Sequence, residues 1–381
     1  MPRQETRLNG ALLTAGLLLA TSAWAQTTDS AAVTRKAPWR ALYVNAWAFG
    51  SSRFDRLVAL ADSTEINALV IDVKDDTGFL TYRSTVPTAI AIGANSALRA
   101  RDAARRLVTL KAHGIRAIAR IVVAKDPLLA REKPEWAIRT RDGGIWTDRK
   151  GTAWVDAFND SVWVYASQLG REAAAMGFEE IQYDYVRFPD EPKSRMATAV
   201  FAARRDSETV RSGIARNLKL LGSRTRAFGV PFTIDIFGLT TTAVDDMGIG
   251  QLWEDLVTSA DVVLPMVYPS HYRHGVYGMS RPNGAPYEMV RRALQDGQRR
   301  SAALPGRTAE IRPYLQAFTL GPPRYTPYHV KEQIRAAEGL GVTSWVLWHP
   351  GSKYDAAIFR TDAQAASATR TTSSGRVENR R

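Results

Sequence analysis

Eight short runs rich in β-branched and aromatic residues, separated by segments of helical periodicity, restrict the fold more than any other feature of this chain. They are Ala41 to Ala48 (ALYVNAWA), Ala68 to Lys74 (ALVIDVK), Ile115 to Val123 (IRAIARIVV), Glu180 to Val186 (EIQYDYV), Pro231 to Phe237 (PFTIDIF), Asp261 to Tyr268 (DVVLPMVY), Glu310 to Phe318 (EIRPYLQAF) and Thr343 to His349 (TSWVLWH). Strands that alternate with helical segments predict βα units around a parallel sheet, and eight is the number that closes such a sheet. The expectation is a single α/β domain, a (β/α)8 barrel of the TIM type, over residues 38–362. An open doubly wound sheet would want a glycine-rich phosphate turn after the first strand, and the stretch AWAFGSSRF does not supply one.

The joints agree with this reading. Gly114, Gly177 and Gly341 each end a helical segment just before a strand, where a residue that tolerates left-handed backbone is favoured, and Asn67 holds the same place before the second run. Between the third and fourth runs, residues 124–158 are too many for a bare helical connection. They carry Trp136, Trp146 and Trp154, with Trp163 just beyond. Long connections are functional or disordered, and the tryptophans predict an ordered loop on the catalytic face.

Outside the barrel, Arg3 and Arg7 precede an apolar stretch from Ala11 to Ala20 and then Ala23-Trp24-Ala25, the layout of a secretory signal peptide cleaved after Ala25. Thr14 and Gly16 interrupt the stretch, which falls short of the roughly 18 apolar residues a membrane span needs. An exported protein, periplasmic or secreted, with no stable membrane insertion is therefore expected. Residues 26–37 and 363–381 are small and polar, and are expected to be disordered flanks. There is no cysteine, which excludes disulfides, thiolate metal sites and a cysteine nucleophile; a chain of this length buries a sufficient core without staples. The net charge of +13 raises nucleic-acid binding as a function. Part of it lies in the leader and tail, however, and the rest in scattered pairs such as Arg105-Arg106, Arg291-Arg292 and Arg299-Arg300. That pattern reads as a solvated basic surface, not a nucleic-acid site.

Chemistry in such barrels sits at the C-terminal strand ends, and three aspartates fall late in strands: Asp72, Asp184 and Asp235. A charge inside an apolar strand is costly to bury without a partner. With a period of two, Asp72 shares a face with Lys74, Gln182 with Asp184, and Thr233 with Asp235. Structural readings stand beside the functional one: an Asp72–Lys74 ion pair, or Asp184 as a salt-bridge partner of Arg187 or Arg120. Paired carboxylates are what glycosidic cleavage needs, one to protonate the leaving oxygen and one to attack or activate water. Asp184 is assigned as nucleophile or base, ionised by a nearby Arg187, and Asp235 as the general acid; their roles are exchangeable. Trp47, Tyr268, Tyr314 and Trp348 lie near strand ends, where flat rings pack on sugar faces. The expected substrate-binding set is Asp72, Lys74, Arg120, Arg187, Tyr268, Gln316 and Trp348. No cofactor and no metal is expected; His271 and His274 have metal-pair spacing but no supporting ligand geometry.

The stretches NALVIDVKDDTG, ARIVVAKDPLLA, GFEEIQYDYVRFPD, LPMVYPSHY, IRPYLQAFTLG and SWVLWHPGSKY resemble, as an ordered set spanning most of residues 40–357, an uncharacterised bacterial family of glycoside hydrolase domains. The resemblance implies a glycosidase-like TIM barrel. A looser likeness to chitinase-like enzymes rests on Asp184 and on Met266 and Tyr268 in LPMVYP. Val186 stands where their catalytic glutamate would be, so substrate-assisted chitinase chemistry is not expected. Three readings follow. The first is a glycoside hydrolase acting on an envelope or extracellular polysaccharide, endo-acting if the tryptophan loop grips several sugars. The second is a glycan-binding barrel without catalysis. The third is a metal-dependent hydrolase with Asp72, Asp184 and Asp235 as ligands.

Overall fold

A computed structural model describes residues 37–361; the expected signal peptide, the flank before residue 37 and the tail lie outside them. The strands are β1 (Arg40–Val44), β2 (Ala68–Lys74), β3 (Arg116–Val122), β4 (Glu180–Asp184), β5 (Phe232–Phe237), β6 (Val262–Met266), β7 (Glu310–Ile311), β8 (Tyr314–Gln316) and β9 (Trp345–Trp348). Their pairings are parallel throughout, and β1 with β9 and β5 with β6 close the ring. β7 and β8 both pair with β6 and form one stave interrupted at Arg312 and Pro313, a break that fits the missing N–H of proline. The ring therefore has eight staves, one for each run in the sequence.

Between successive staves run α1 (Arg53–Asp62), α2 (Ala103–Ala112), α3 (Asp160–Met176), α4 (Val210–Arg226), α5 (Trp253–Ser259), α6 (Pro286–Ala302) and α7 (Pro327–Gly339). Gly114, Gly177 and Gly341 have φ of 66°, 113° and 76°, as their joints predict. Asn67 does not cap a helix. α1 ends at Asp62, and the Asn67 carboxamide instead accepts from Arg40 N (3.0 Å) and donates to Pro38 O (2.9 Å), tying together the starts of β1 and β2. The first run is also shorter than expected: Asn45 Oδ1 accepts from Ala48 N at 2.8 Å and starts a helical turn, Ala46–Phe49.

Alternation along the staves separates two apolar layers. Leu69, Ile71, Ile121, Ile181 and Ile234 face the helices, while Val70, Ile118, Leu264, Tyr314 and Val346 fill the lumen. The outer layer is buried by the helices and the inner one by the facing staves, so inward and outward patterns both read as apolar. At the N-terminal end of the lumen, Arg312 Nη1 donates to both oxygens of Glu180 at 2.8 and 3.0 Å, under the ring of Trp39. The C-terminal end is polar and carries the candidate site. Among the described residues, no helix is long and apolar enough to cross a membrane.

Candidate active site

Arg120 organises the polar end of the barrel. Its Nη1 donates to Asp72 Oδ1 at 2.6 Å, its Nε and Nη2 both donate to Asp184 Oδ2 (Nε at 3.1 Å), and its Nε lies 3.5 Å from Asp235 Oδ2. Three carboxyl groups on three strands thus meet one guanidinium. Burial would lower the Arg120 pKa, but the Asp184 and Asp72 charges more than offset it and hold the group cationic. The guanidinium occupies the space that a divalent ion would need to take all three aspartates as ligands. Among the described residues no cluster of His, Asp or Glu has metal-binding geometry.

The three aspartates differ in surroundings. Asp184 ends β4, and the next residue, Tyr185, has φ 54° and donates its N–H to Asp184 Oδ1 at 2.5 Å. A non-glycine residue held in left-handed backbone is strained, and here the kink turns the chain away while leaving Asp184 at the floor of a cavity of about 590 Å³. Asp235 follows Thr233 on β5 as Asp184 follows Gln182 on β4, and Gln182 pairs with Thr233, so the two aspartates are neighbours. Asp235 nevertheless lies under the floor, 1% exposed. Its Oδ1 accepts from Gln182 Nε2, while its Oδ2 has no hydrogen-bond donor among the described residues. Burial first, and then the charge of Asp184, lift its carboxyl well above the usual carboxylate range. Asp72 is also beneath the surface, accepting from Tyr43 Oη at 2.5 Å; burial pushes it up to about 6 against the pull of Arg120 and Tyr43.

The cavity walls are aromatic and cationic. Trp348 stacks on Tyr43 with ring centroids 3.6 Å apart and lines the cavity together with Phe237, Tyr268 and Phe318. The Tyr268 hydroxyl is buried without a hydrogen-bond partner among the described residues, and burial raises its pKa well above 10.0, so it remains a proton-bearing donor. Arg187, Asp190, His271 and Arg273 complete the polar lining.

Of the expected binding set, Arg120, Arg187, Tyr268 and Trp348 line this cavity, with Asp72 below it. Lys74 is elsewhere. The ladder from β2 to β3 runs Asp72 to Arg120 and then Lys74 to Ile121, so Val73 is an extra residue in a bulge. The bulge carries Lys74 to the outer side, where it pairs with Asp126 near the ring of Tyr165. Gln316 is fully buried; its Oε1 accepts from Ser270 N (3.0 Å) and its Nε2 donates to Phe318 O (2.9 Å), pinning the loop after β6. Arg187 does not pair with Asp184; Arg120 does. Trp47 is 66% exposed beneath the Arg99 guanidinium and is not in the cavity wall. Tyr314 is buried and accepts from Gln182 at 2.8 Å. His271 lines the mouth, whereas His274 lines an adjoining cavity. Trp146, Trp154 and Trp163 are buried within the loop and the helix that follows it, so they hold the long loop to the barrel and leave no ring in the cavity.

Tyr43, Phe237, Asp190, Arg273 and Phe318 were not singled out by the sequence. Asp190 had a signal, as the last residue of the YDYVRFPD stretch; Tyr43 had only its inward parity on β1.

A closed eight-stave barrel with a carboxylate on the floor of an aromatic-walled cavity at the strand C-termini defines a protein of the glycosidase-barrel class. The chain belongs to the family described as "Putative glycosyl hydrolase domain", whose model matches residues 41–354. Similar solved structures include a hypothetical protein from Ruminiclostridium thermocellum ATCC 27405, 34% identical over 48% of this chain and 92% of that one, with a TM-score of 0.43. The α-galactosidase of Thermus thermophilus is 15% identical, with 87% of this chain and 61% of that chain covered and a TM-score of 0.50. For α-L-fucosidase isoenzyme 2 of Paenibacillus thiaminolyticus the values are 14%, 84%, 48% and 0.53. This chain thus spans about three-fifths and about half of these two enzymes' lengths, and with them it shares the fold. No curated protein matches the chain.

Proposed function

We propose that the protein hydrolyses glycosidic bonds in a polysaccharide of the envelope or extracellular space, and that Asp184 is the carboxylate at the reacting carbon. The observation that carries this is the Asp184 geometry. Of the three buried aspartates it alone lines the cavity, and each of its oxygens is held by a fixed donor, Arg120 on one side and Tyr185 N on the other. A carboxylate so oriented, in a cavity walled by Trp348 and Tyr268, suits attack on a sugar ring or activation of a water.

Asp235, expected as the acid, carries its proton one step away from the substrate. We assign it to keeping a third charge out of the cluster, so that Arg120 has only Asp184 and Asp72 to neutralise. Direct protonation of the leaving oxygen then falls to the other carboxyl in the cavity wall, Asp190. The adjoining cavity of about 850 Å³, bordered by Arg281, Asn283 and Pro322, shares Tyr272 and Leu320 with the mouth. That continuity supports an endo-acting groove in place of the tryptophan loop.

The test is release of sugar from a panel of bacterial polysaccharides and aryl glycosides. Asp184→Asn should lower turnover by about a thousandfold or more, the scale of a lost nucleophile or base. Asp190→Asn should slow cleavage of poor leaving groups far more than of activated aryl groups. Glycan binding with no release by the wild type would assign the barrel to binding alone.

A further inference from the structure

Arg187 is a buried guanidinium without an ion-pair partner among the described residues. It is 8% exposed, and among the described residues only its Nη1 has a protein acceptor, Phe188 O at 2.8 Å. Its plane is wedged among the rings of Phe237, Tyr185 and Trp154, at 4.4, 4.9 and 5.1 Å from the centroids. No carboxylate among the described residues comes within ion-pair distance. Asp184 is taken by Arg120, while Asp190 and Asp148 act on Arg187 only from beyond contact. A second arginine of the same wall, Arg273, is exposed and likewise has no carboxylate partner among the described residues. Buried cations are ordinarily paired, and a guanidinium held by three rings in the lining of a cavity, with no acceptor for Nε or Nη2 among the described residues, is a ready site for a planar anion.

We propose that the Arg187 wall of the cavity is a subsite for the carboxylate of an acidic sugar, one unit of the polymer cleaved at Asp184. The inference rests on the hydrolase reading for the word polymer, but the subsite is defined by binding alone. Its chemistry favours a singly charged, planar group: a dianionic phosphate would meet the Asp184 charge in the same space, whereas a carboxylate matches the fork of one arginine. Two sugar sources offer that group, a uronate and a lactyl ether.

The experiment measures binding of matched monosaccharides to the full chain by calorimetry or ligand-observed NMR: glucuronate against glucose, and N-acetylmuramate against N-acetylglucosamine. At least one acidic sugar should bind about tenfold tighter than its neutral partner, the order expected of one charge-assisted pair, and which of the two does so identifies the source. In Arg187→Gln the ratio of acidic to neutral affinity, measured within that variant, should fall to about one. Arg187→Lys, which keeps the charge but not the fork, should retain part of the advantage. Acidic and neutral sugars binding the wild type alike, or not at all, would overturn the subsite, and this comparison needs no variant to fold. No bond is cleaved in the measurement, so a failure to release sugar from polymers sinks the hydrolase reading and leaves this result standing.

Discussion

At the scale of single residues, the site is a balance of buried charges. Asp72 and Asp235 both have carboxyl groups raised by burial, so the folded protein holds protons that the unfolded chain would release. The sign follows from linkage: stability from such groups is fully present below the unfolded carboxylate range, near 4, and is lost as pH rises through the folded value. For Asp72 that window runs from about 4 to about 6. The stability of the wild type relative to Asp72→Asn should therefore fall, by on the order of 2 kcal/mol, between pH 4 and pH 7. Denaturant midpoints of both proteins across that range check it, and parallel profiles would show that Asp72 is ionised throughout. The sequence made Asp72, Asp184 and Asp235 legible because an aspartate in an apolar strand is conspicuous. It did not show that a single arginine, Arg120, would bind them all.

At the scale of elements, alternation located most inward residues, and one bulge defeated it. Asp72 and Lys74 differ by two positions, yet Val73 adds a residue to β2 and sends their side chains to opposite sides of the wall. Nothing in ALVIDVK marks such an insertion, since it is set by how β2 meets β3 and by the pull of Asp126 on Lys74. Close packing of elements is equally specific. Gly170 on α3 faces β4 so tightly that a Cβ there would lie 2.3 Å from Tyr183 Oη and 3.3 Å from Ile181 Cγ2, and that hydroxyl is bonded to Thr225 on α4 at 3.0 Å. Gly170→Ala should therefore destabilise the protein by about 1–3 kcal/mol through overpacking, despite the better helix propensity of alanine. Equilibrium urea unfolding measures this, and a gain in stability would mean that α3 shifts freely on the barrel.

At the scale of the whole molecule, the barrel is fastened across its lumen at both ends, by Arg120 at the site and by Arg312 at the opposite end. Arg312 is 2% exposed and reaches Glu180, a contact between the fourth and seventh staves that only a closed ring permits. Arg312→Met should cost about 3–5 kcal/mol, because it leaves the Glu180 charge buried and unpaired, and the double variant Glu180→Leu with Arg312→Met should recover much of that loss. Thermal or urea midpoints of the single and double variants decide it; additive losses would show that the pair is not coupled. A barrel weakened at that end should still bind sugar at the other, since the two clusters are separated by the apolar layer of Val70, Ile118, Leu264 and Val346.

The sequence by itself determined the eight staves, the glycine joints and the aspartates with chemical promise, because hydrophobic period, left-handed backbone and the cost of a lone charge act over a few neighbouring residues. The tertiary structure alone decided which charges meet. Arg120 rather than Arg187 pairs with Asp184, Asp235 lies below the cavity floor, Lys74 turns outward, and the tryptophans of residues 124–158 pack a loop where a sugar platform was expected. Each of these depends on the stagger of neighbouring strands and on residues more than fifty positions apart. Those distances exist only once the ring has closed.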